Sequence, residues 1–339
     1  MKTFPIKKPL KSALMLIIII SVLCFSWFLW EYLHPKAAFS PKATFQVEKG
    51  SSVSFIAQKL KKENIIKKKW IFLLAYKLFY SQEKLIAGEY EFHPPVSAKE
   101  VLKKIIKGDI LLHPTTIPEG LTIEETAHYL SKKYSMNKKK FLNYADNPQL
   151  ISSLDPEAQN LEGYLFPETY HIPRNITEEE VIKIMVNQFK KTFDENWRKR
   201  AKKIGMEIRD VVTLASLIEE ETSVHEEKPL VSSVFHNRLN LGMKLDCDPT
   251  IIYALKKKNK YQGKLRTKDL KLASPYNTYL HNGLPPSPIS NPGEESIKAA
   301  LFPSETDYLY FVSKNDGTHK FSSTFTEHQK AVIKFQINR

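Results

Sequence analysis

Residues 13–30 form an apolar run interrupted only by Ser21 and Ser26. No other feature limits the chain as strongly. The run is close to the roughly 20 residues that carry a helix through the hydrocarbon core of a bilayer. Lys2, Lys7, Lys8 and Lys11 precede it, and the flank that follows is mixed, with Glu31, Lys36 and Lys42. The positive-inside bias then puts the amino terminus in the cytoplasm and the rest of the chain outside. A cleaved signal peptide would have a shorter apolar core and a small-x-small cleavage site. Trp27-Phe28-Leu29-Trp30 is a poor lead-in to cleavage, and Leu23 before Cys24 does not suit a lipoprotein signal. The expectation is an uncleaved single-span anchor over 13–33 behind a cytoplasmic tail, 1–12. Trp27, Trp30 and Tyr32 would form an aromatic belt at the outer interface.

The formal charge of +14 suits anionic partners: nucleic acid, acidic lipid or acidic wall polymers. A body held outside the membrane makes nucleic acid the wrong partner. Cys24 lies inside the apolar run, so it cannot pair with Cys247. No zinc-ligand spacing or phosphate-binding loop stands out, so neither a metal nor a cofactor is expected.

Residues 34–43 read as a linker around Pro35 and Pro41. A small α+β module follows over 44–112, in the order strand, helix, helix, strand. Phe45-Gln46-Val47 alternates like a strand, and Ser52 precedes Val53, Ile56, Ala57 and Leu60 at helical spacing. A second apolar helix spans about 70–79, and 89–93 alternates again. Ser97 and Glu100 form a capping box, and Gly108 is a fitting helix stop. This order loosely resembles a LysM-type glycan-binding domain. A larger α+β domain fills 113–339. Thr122 with Glu125 and Thr177 with Glu180 make two more capping boxes. The second box opens a long helix to about 203, with Ile182, Met185, Phe189, Phe193 and Trp197 on its core side. Residues 308–312 read as a buried strand.

The stretch 210–222 carries the chemistry. Asp210 suits a helix cap. At about 100° per residue, Val211, Val212, Leu214, Ala215, Leu217 and Ile218 fill one arc. Thr213, Ser216 and Glu220 share the opposite, polar side. Glu219 and Glu221 fall at the two margins of the apolar arc. Glu220 should face water, while shelter should raise the other two carboxyls. A carboxyl protonated near neutrality can act as a general acid. Helical geometry alone does not choose between Glu219 and Glu221.

Residues 214–222, Leu-Ala-Ser-Leu-Ile-Glu-Glu-Glu-Thr, resemble the signature of the YceG-like endolytic murein transglycosylases. More of that signature follows in order: Glu227-Lys-Pro229, Asn237-Arg238-Leu239, Asp248-Pro-Thr250 with Tyr253, Tyr276-Asn-Thr-Tyr279 and Asn291-Pro-Gly293. Upstream, Glu162-Gly163-Tyr164 also looks familial. Asp246-Cys247 and Ser287 depart from the usual residues beside these motifs.

The resemblance implies a bacterial cytoplasmic-membrane enzyme that cuts peptidoglycan glycan strands, working with membrane-bound peptidoglycan synthases. It makes Glu219 the catalytic acid and base and Glu221 its supporting glutamate. Glu162, Asn237, Arg238, Asp248, Thr250, Tyr276, Asn277 and Tyr279 become expected substrate contacts. From the residues alone, Asp248 equally suits a helix cap, and Asn237 and Arg238 equally suit tying down carbonyls. A lytic transglycosylase uses the C6 hydroxyl of the same N-acetylmuramic acid in place of water, so one glutamate serves twice. The alternatives are a muramidase-type hydrolase pairing Glu219 with Asp246, Asp248 or Glu162, and a wall-binding scaffold with no chemistry.

Overall fold

The computed structural model describes residues 8–35, 42–93 and 95–337. Most of the expected tail and most of the linker lie outside the described residues. The chain is a mixed α+β protein that divides into two compact units, residues 1–113 with 171–175, and residues 114–170 with 176–339.

The first unit begins with α1, Lys8–Leu33, whose stretch Ser12–Leu33 is long and apolar enough to cross a membrane. Then come β1 (Ala43–Val47), α2 (Val53–Lys62), α3 (Lys69–Phe79), β2 (Gly88–Phe92) and α4 (Ala98–Lys107). β1 and β2 pair antiparallel, with Phe45 opposite Tyr90. Their inward side chains pack with Ile56, Leu60, Phe72, Leu102 and Ile105 into one core. Ser52 caps α2, the box of Ser97 and Glu100 caps α4, and Gly108 ends α4 at φ 67°. Tyr32 is not free for an aromatic belt. It is buried in this core with Phe28, because α1 runs on as an α-helix past its apolar run and packs on α3.

The short strands β3 (His113–Thr116) and β4 (Thr169–Ile172) each have residues in both units, and the second unit holds α5 (Ile123–Tyr134), α6 (Lys138–Ala145), α7 (Glu178–Thr192), α8 (Glu195–Lys203) and α9 (Ile208–Glu221). They are followed by α10 (Lys228–Asn240), α11 (Asp248–Lys257), α12 (Glu294–Leu301), β5 (Tyr310–Ser313), β6 (His319–Ser322) and α13 (Phe325–Val332). β3 pairs with β4, and β5 with β6.

Three expectations need correction here. The long helix to residue 203 is two helices, broken at Phe193 and restarted by Asp194, whose carboxylate accepts from the N–H groups of Asn196 and Trp197. Asp210 is not the cap of α9. The helix starts earlier, and Asp210 sits inside the first turn, accepting from the Glu207 N–H. The strand β5 is half-buried along its length, although each of its four residues pairs with one of β6.

Candidate active site

Helix α9 is enclosed by α8, α10, α11 and α12. This explains its unusual burial, in which every residue from Val211 to Ile218 is shielded from solvent. Thr213 and Ser216, expected on a solvated side, are therefore interior. Ser216 Oγ donates to the Thr213 carbonyl and accepts from the Ile289 N–H. That second bond fastens α9 to the segment leading into α12. At the other end, Arg209 holds Asp155 through two nitrogens, and Tyr164 donates to the same carboxylate.

Only the last turn of α9 reaches the surface. Glu220 is exposed, while Glu219 and Glu221 are partly covered. Glu219 Oε1 accepts from Lys228 Nζ at 2.9 Å, and Oε2 accepts from the Gly293 N–H at 2.9 Å. Its side chain is 7% exposed, and that of Lys228 is 2% exposed. The carboxylate is thus fixed from two sides, by the start of α10 and the start of α12. Burial raises the Glu221 carboxyl to about 7, although the Cys247 thiol hydrogen-bonds to it and opposes the rise. Burial pushes the Cys247 thiol upward in turn.

Lys228 has a second carboxylate neighbour, Glu119, at 3.7 Å. Burial and the charge of Glu219 raise the Glu119 carboxyl. Glu119 lies so close to Gly293 that a Cβ there would sit 2.0 Å from its Oε1. The turn before α10 is held by Glu227, which accepts from the His319 N–H and bonds its Nδ1 at 2.7 Å. Asn291, two residues before Gly293, is buried. It accepts from the N–H groups of Gly163 and Leu165 and donates to the Leu121 carbonyl. Motifs far apart in the chain converge through these bonds on the last turn of α9.

A cleft of about 780 Å³ is lined by Glu125, Asn160, Glu162, Tyr253, Lys256 and Lys257 among others, with none of the three α9 glutamates in its walls. Against the expectation that set Glu220 apart, desolvation raises its carboxyl to about 7 as well, with Lys256 on this wall opposing the rise and Glu125 adding to it. Glu162 accepts from the Ile123 N–H and from Tyr253 Oη, and burial raises its carboxyl to about 7.

The remaining expected contacts have internal partners. Asn237 Nδ2 donates to the carbonyls of Thr306 and Tyr308. Arg238 donates to the carbonyls of Leu309, Lys244 and Leu245 and pairs with Asp246. Thr250 is buried and bonds the Cys247 carbonyl. Asn277 Nδ2 donates to the carbonyls of Leu270 and Leu272. Tyr279 Oη donates to Asp248 at 2.6 Å, and Tyr276 Oη bonds Ser287 Oγ at 2.6 Å. Asp248 is the first residue inside α11, not its cap, which is Cys247. Lys228, Glu119 and the Gly293 N–H are site groups that the sequence reading assigned no role. Lys228 stood in view within Glu227-Lys-Pro229, but an isolated lysine is ordinarily a surface residue.

Similarity to known proteins agrees with this architecture. The model of the YceG-like family matches residues 45–334. An endolytic murein transglycosylase of Bacillus subtilis is 34% identical, covering 90% of this chain and 89% of that one. One from Streptococcus pneumoniae is 30% identical over 89% of this chain, which spans 60% of that longer relative. A crystal structure of a yceG-like protein from Listeria monocytogenes superposes with a TM-score of 0.59 at 33% identity, covering 86% of this chain and 98% of that one. With its motifs gathered around the last turn of one buried helix, the chain belongs to the YceG-like family.

Proposed function

We propose that this protein is a membrane-anchored endolytic lytic transglycosylase. It cleaves the β-1,4 bond between N-acetylmuramic acid and N-acetylglucosamine, leaves a 1,6-anhydro end and so limits glycan strand length. The observation that carries this is the setting of Glu219, a covered carboxylate held by Lys228 and the Gly293 N–H at the end of α9. The relatives named endolytic murein transglycosylase support the same chemistry.

In this reading Glu219, once protonated, gives its proton to the leaving O4 as the C1–O4 bond breaks. The carboxylate then takes the proton of the C6 hydroxyl as O6 bonds to C1. The two transfers restore the enzyme, and no water enters. Protonating Glu219 removes its attraction for Lys228, and Glu119 is close enough to keep that buried ammonium compensated. Glu221 tunes the site from behind, through its own buried carboxyl.

The hydrolase reading needs a second carboxylate on the substrate. Asp246, Asp248 and Glu162 each already bond another group, Arg238, Tyr279 and Tyr253 respectively. Glu162, Tyr276 and Tyr279 remain as glycan contacts, while Asn237, Arg238, Thr250 and Asn277 shape the walls. Asp248 orients Tyr279. We further assign α1 as a single span with its amino terminus in the cytoplasm. The βααβ module is then a LysM-like unit at the membrane, where peptidoglycan synthases supply nascent strands.

The test is product analysis of sacculi digested by the full-length protein in detergent. Anhydro-muropeptides are expected; reducing ends would identify a hydrolase, and no release at all would leave only a scaffold. Glu219→Gln should abolish cutting. If Glu219→Gln cuts normally and Glu221→Gln does not, the acid has been misassigned.

A further inference from the structure

Helix α3 carries an apolar stripe that the first unit leaves largely exposed, apart from one ring contact at its start. Trp70, Leu74 and Leu78 recur every fourth residue and are 43%, 36% and 52% exposed. The opposite face, with Ile71, Phe72 and Ala75, is buried in the core. A soluble domain rarely leaves so continuous a stripe bare.

The position of α3 relative to α1 says what meets it. Trp27 and Phe28 are consecutive on α1, at one level of that helix. The Trp27 ring lies 5.5 Å from that of Trp70, at the start of α3, and the Phe28 ring lies 6.4 Å from that of Phe79, at its end. Those two partners are separated by roughly 13 Å of helix. One level of α1 therefore touches both ends of α3, so α3 runs across α1 and not along it. A helix lying across a membrane-spanning helix lies in the plane of the membrane.

The level is also defined. Residues 14–25 of α1 expose Leu, Ile, Val and Phe side chains along their length. Trp27 lies in the outer part of the apolar stretch Ser12–Leu33, and exposed Trp30 and Leu33 follow it. Lys68 sits above the Trp27 ring at 4.7 Å and pairs with Glu31 at 3.2 Å, one turn further out. Trp70, the first residue of the stripe, meets Trp27 on the membrane side of that ion pair. Lys69 and Lys77 flank the stripe and are exposed, where long cationic side chains can reach lipid phosphates.

We infer that α3 is a second membrane contact, an interfacial helix whose face Trp70–Leu74–Leu78 dips into the outer leaflet of the bilayer that α1 crosses. Such helices bind by apolar burial plus attraction to anionic headgroups. The first unit is thereby held at a fixed tilt and does not swing on a single tether. This inference rests on the reading of α1 as a membrane span.

The experiment keeps the two apart. Full-length protein with a single tryptophan, at position 70 or at position 27, is reconstituted into phosphatidylglycerol–phosphatidylethanolamine vesicles. Part of the lipid carries bromine on its acyl chains, and the other tryptophans are changed to phenylalanine. Trp70 should lose about half its emission to the brominated lipid. Adding Leu74→Lys and Leu78→Lys should restore that emission with an unchanged circular dichroism spectrum. Unquenched Trp70 alongside quenched Trp27 would overturn the interfacial helix and leave the anchor standing. If neither is quenched, the anchor falls, and the interfacial helix with it.

Discussion

Lys228 holds its ammonium 2.9 Å from the Glu219 carboxylate while only 1% of the residue meets solvent. Removing one partner of such a pair strands the other charge in a poorly solvated place. Lys228→Met should therefore cost about 3 kcal/mol in denaturant unfolding. Lys228→Arg, which keeps the charge, should cost less. Adding Glu219→Gln to Lys228→Met should return part of the loss, because the orphaned carboxylate is then gone. Strictly additive losses would show that the pair is not coupled.

Gly163 and Gly205 both have positive φ, 88° and 71°, yet only one has neighbours at the position a Cβ would take. At Gly163 a Cβ would meet Pro288 at 2.6 Å and Val212 at 2.8 Å, on a ring and on α9 itself. At Gly205 it would meet nothing within 4 Å. Gly205→Ala should show the backbone cost alone, about 1 kcal/mol. Gly163→Ala adds overpacking and should reach on the order of 3 kcal/mol. Thermal unfolding of the two variants checks the ranking.

These contrasts also separate what the sequence reveals from what it conceals. Capping boxes such as Ser97 with Glu100 are local, and four residues suffice to read them. The break at Phe193 is hidden because Phe189, Phe193 and Trp197 form one ladder of rings, so the apolar spacing runs on through it. Asp194 was the available sign. Thr213 and Ser216 defeat a helical wheel, which assumes a solvated side that α9 lacks among four neighbouring helices. Glu219 and Glu221 emerge from periodicity, but the cation that meets Glu219 comes from another helix. No periodicity carries that information.

Asn291 offers a sharper probe of how the site is assembled. Its Oδ1 accepts two buried backbone N–H groups, those of Gly163 and Leu165, and its Nδ2 donates to the Leu121 carbonyl. Asn291→Ala strands all three and should destabilise by about 2–4 kcal/mol. Asn291→Asp keeps the acceptor and loses only the donor, so it should sit between the two. Urea midpoints give the order, and an alanine variant as stable as wild type would remove Asn291 from the framework.

Glu162 predicts how stability depends on pH. Its carboxyl titrates near 7 in the fold because it is buried, against 4.5 when free. Between those values the native state holds a proton that the unfolded chain has released. Unfolding then releases a proton, so stability falls as pH rises from 4.5 to 7 and levels off beyond. Glu221 contributes in the same direction. The Glu162 share is at most roughly 3 kcal/mol. Glu162→Gln keeps an oxygen to accept from the Ile123 N–H and has nothing to titrate. Relative to wild type, it should gain stability between pH 5 and pH 8, by up to that amount, in urea unfolding at the two values. A wild type and variant that change in parallel would mean that Glu162 is already ionised in the native cleft.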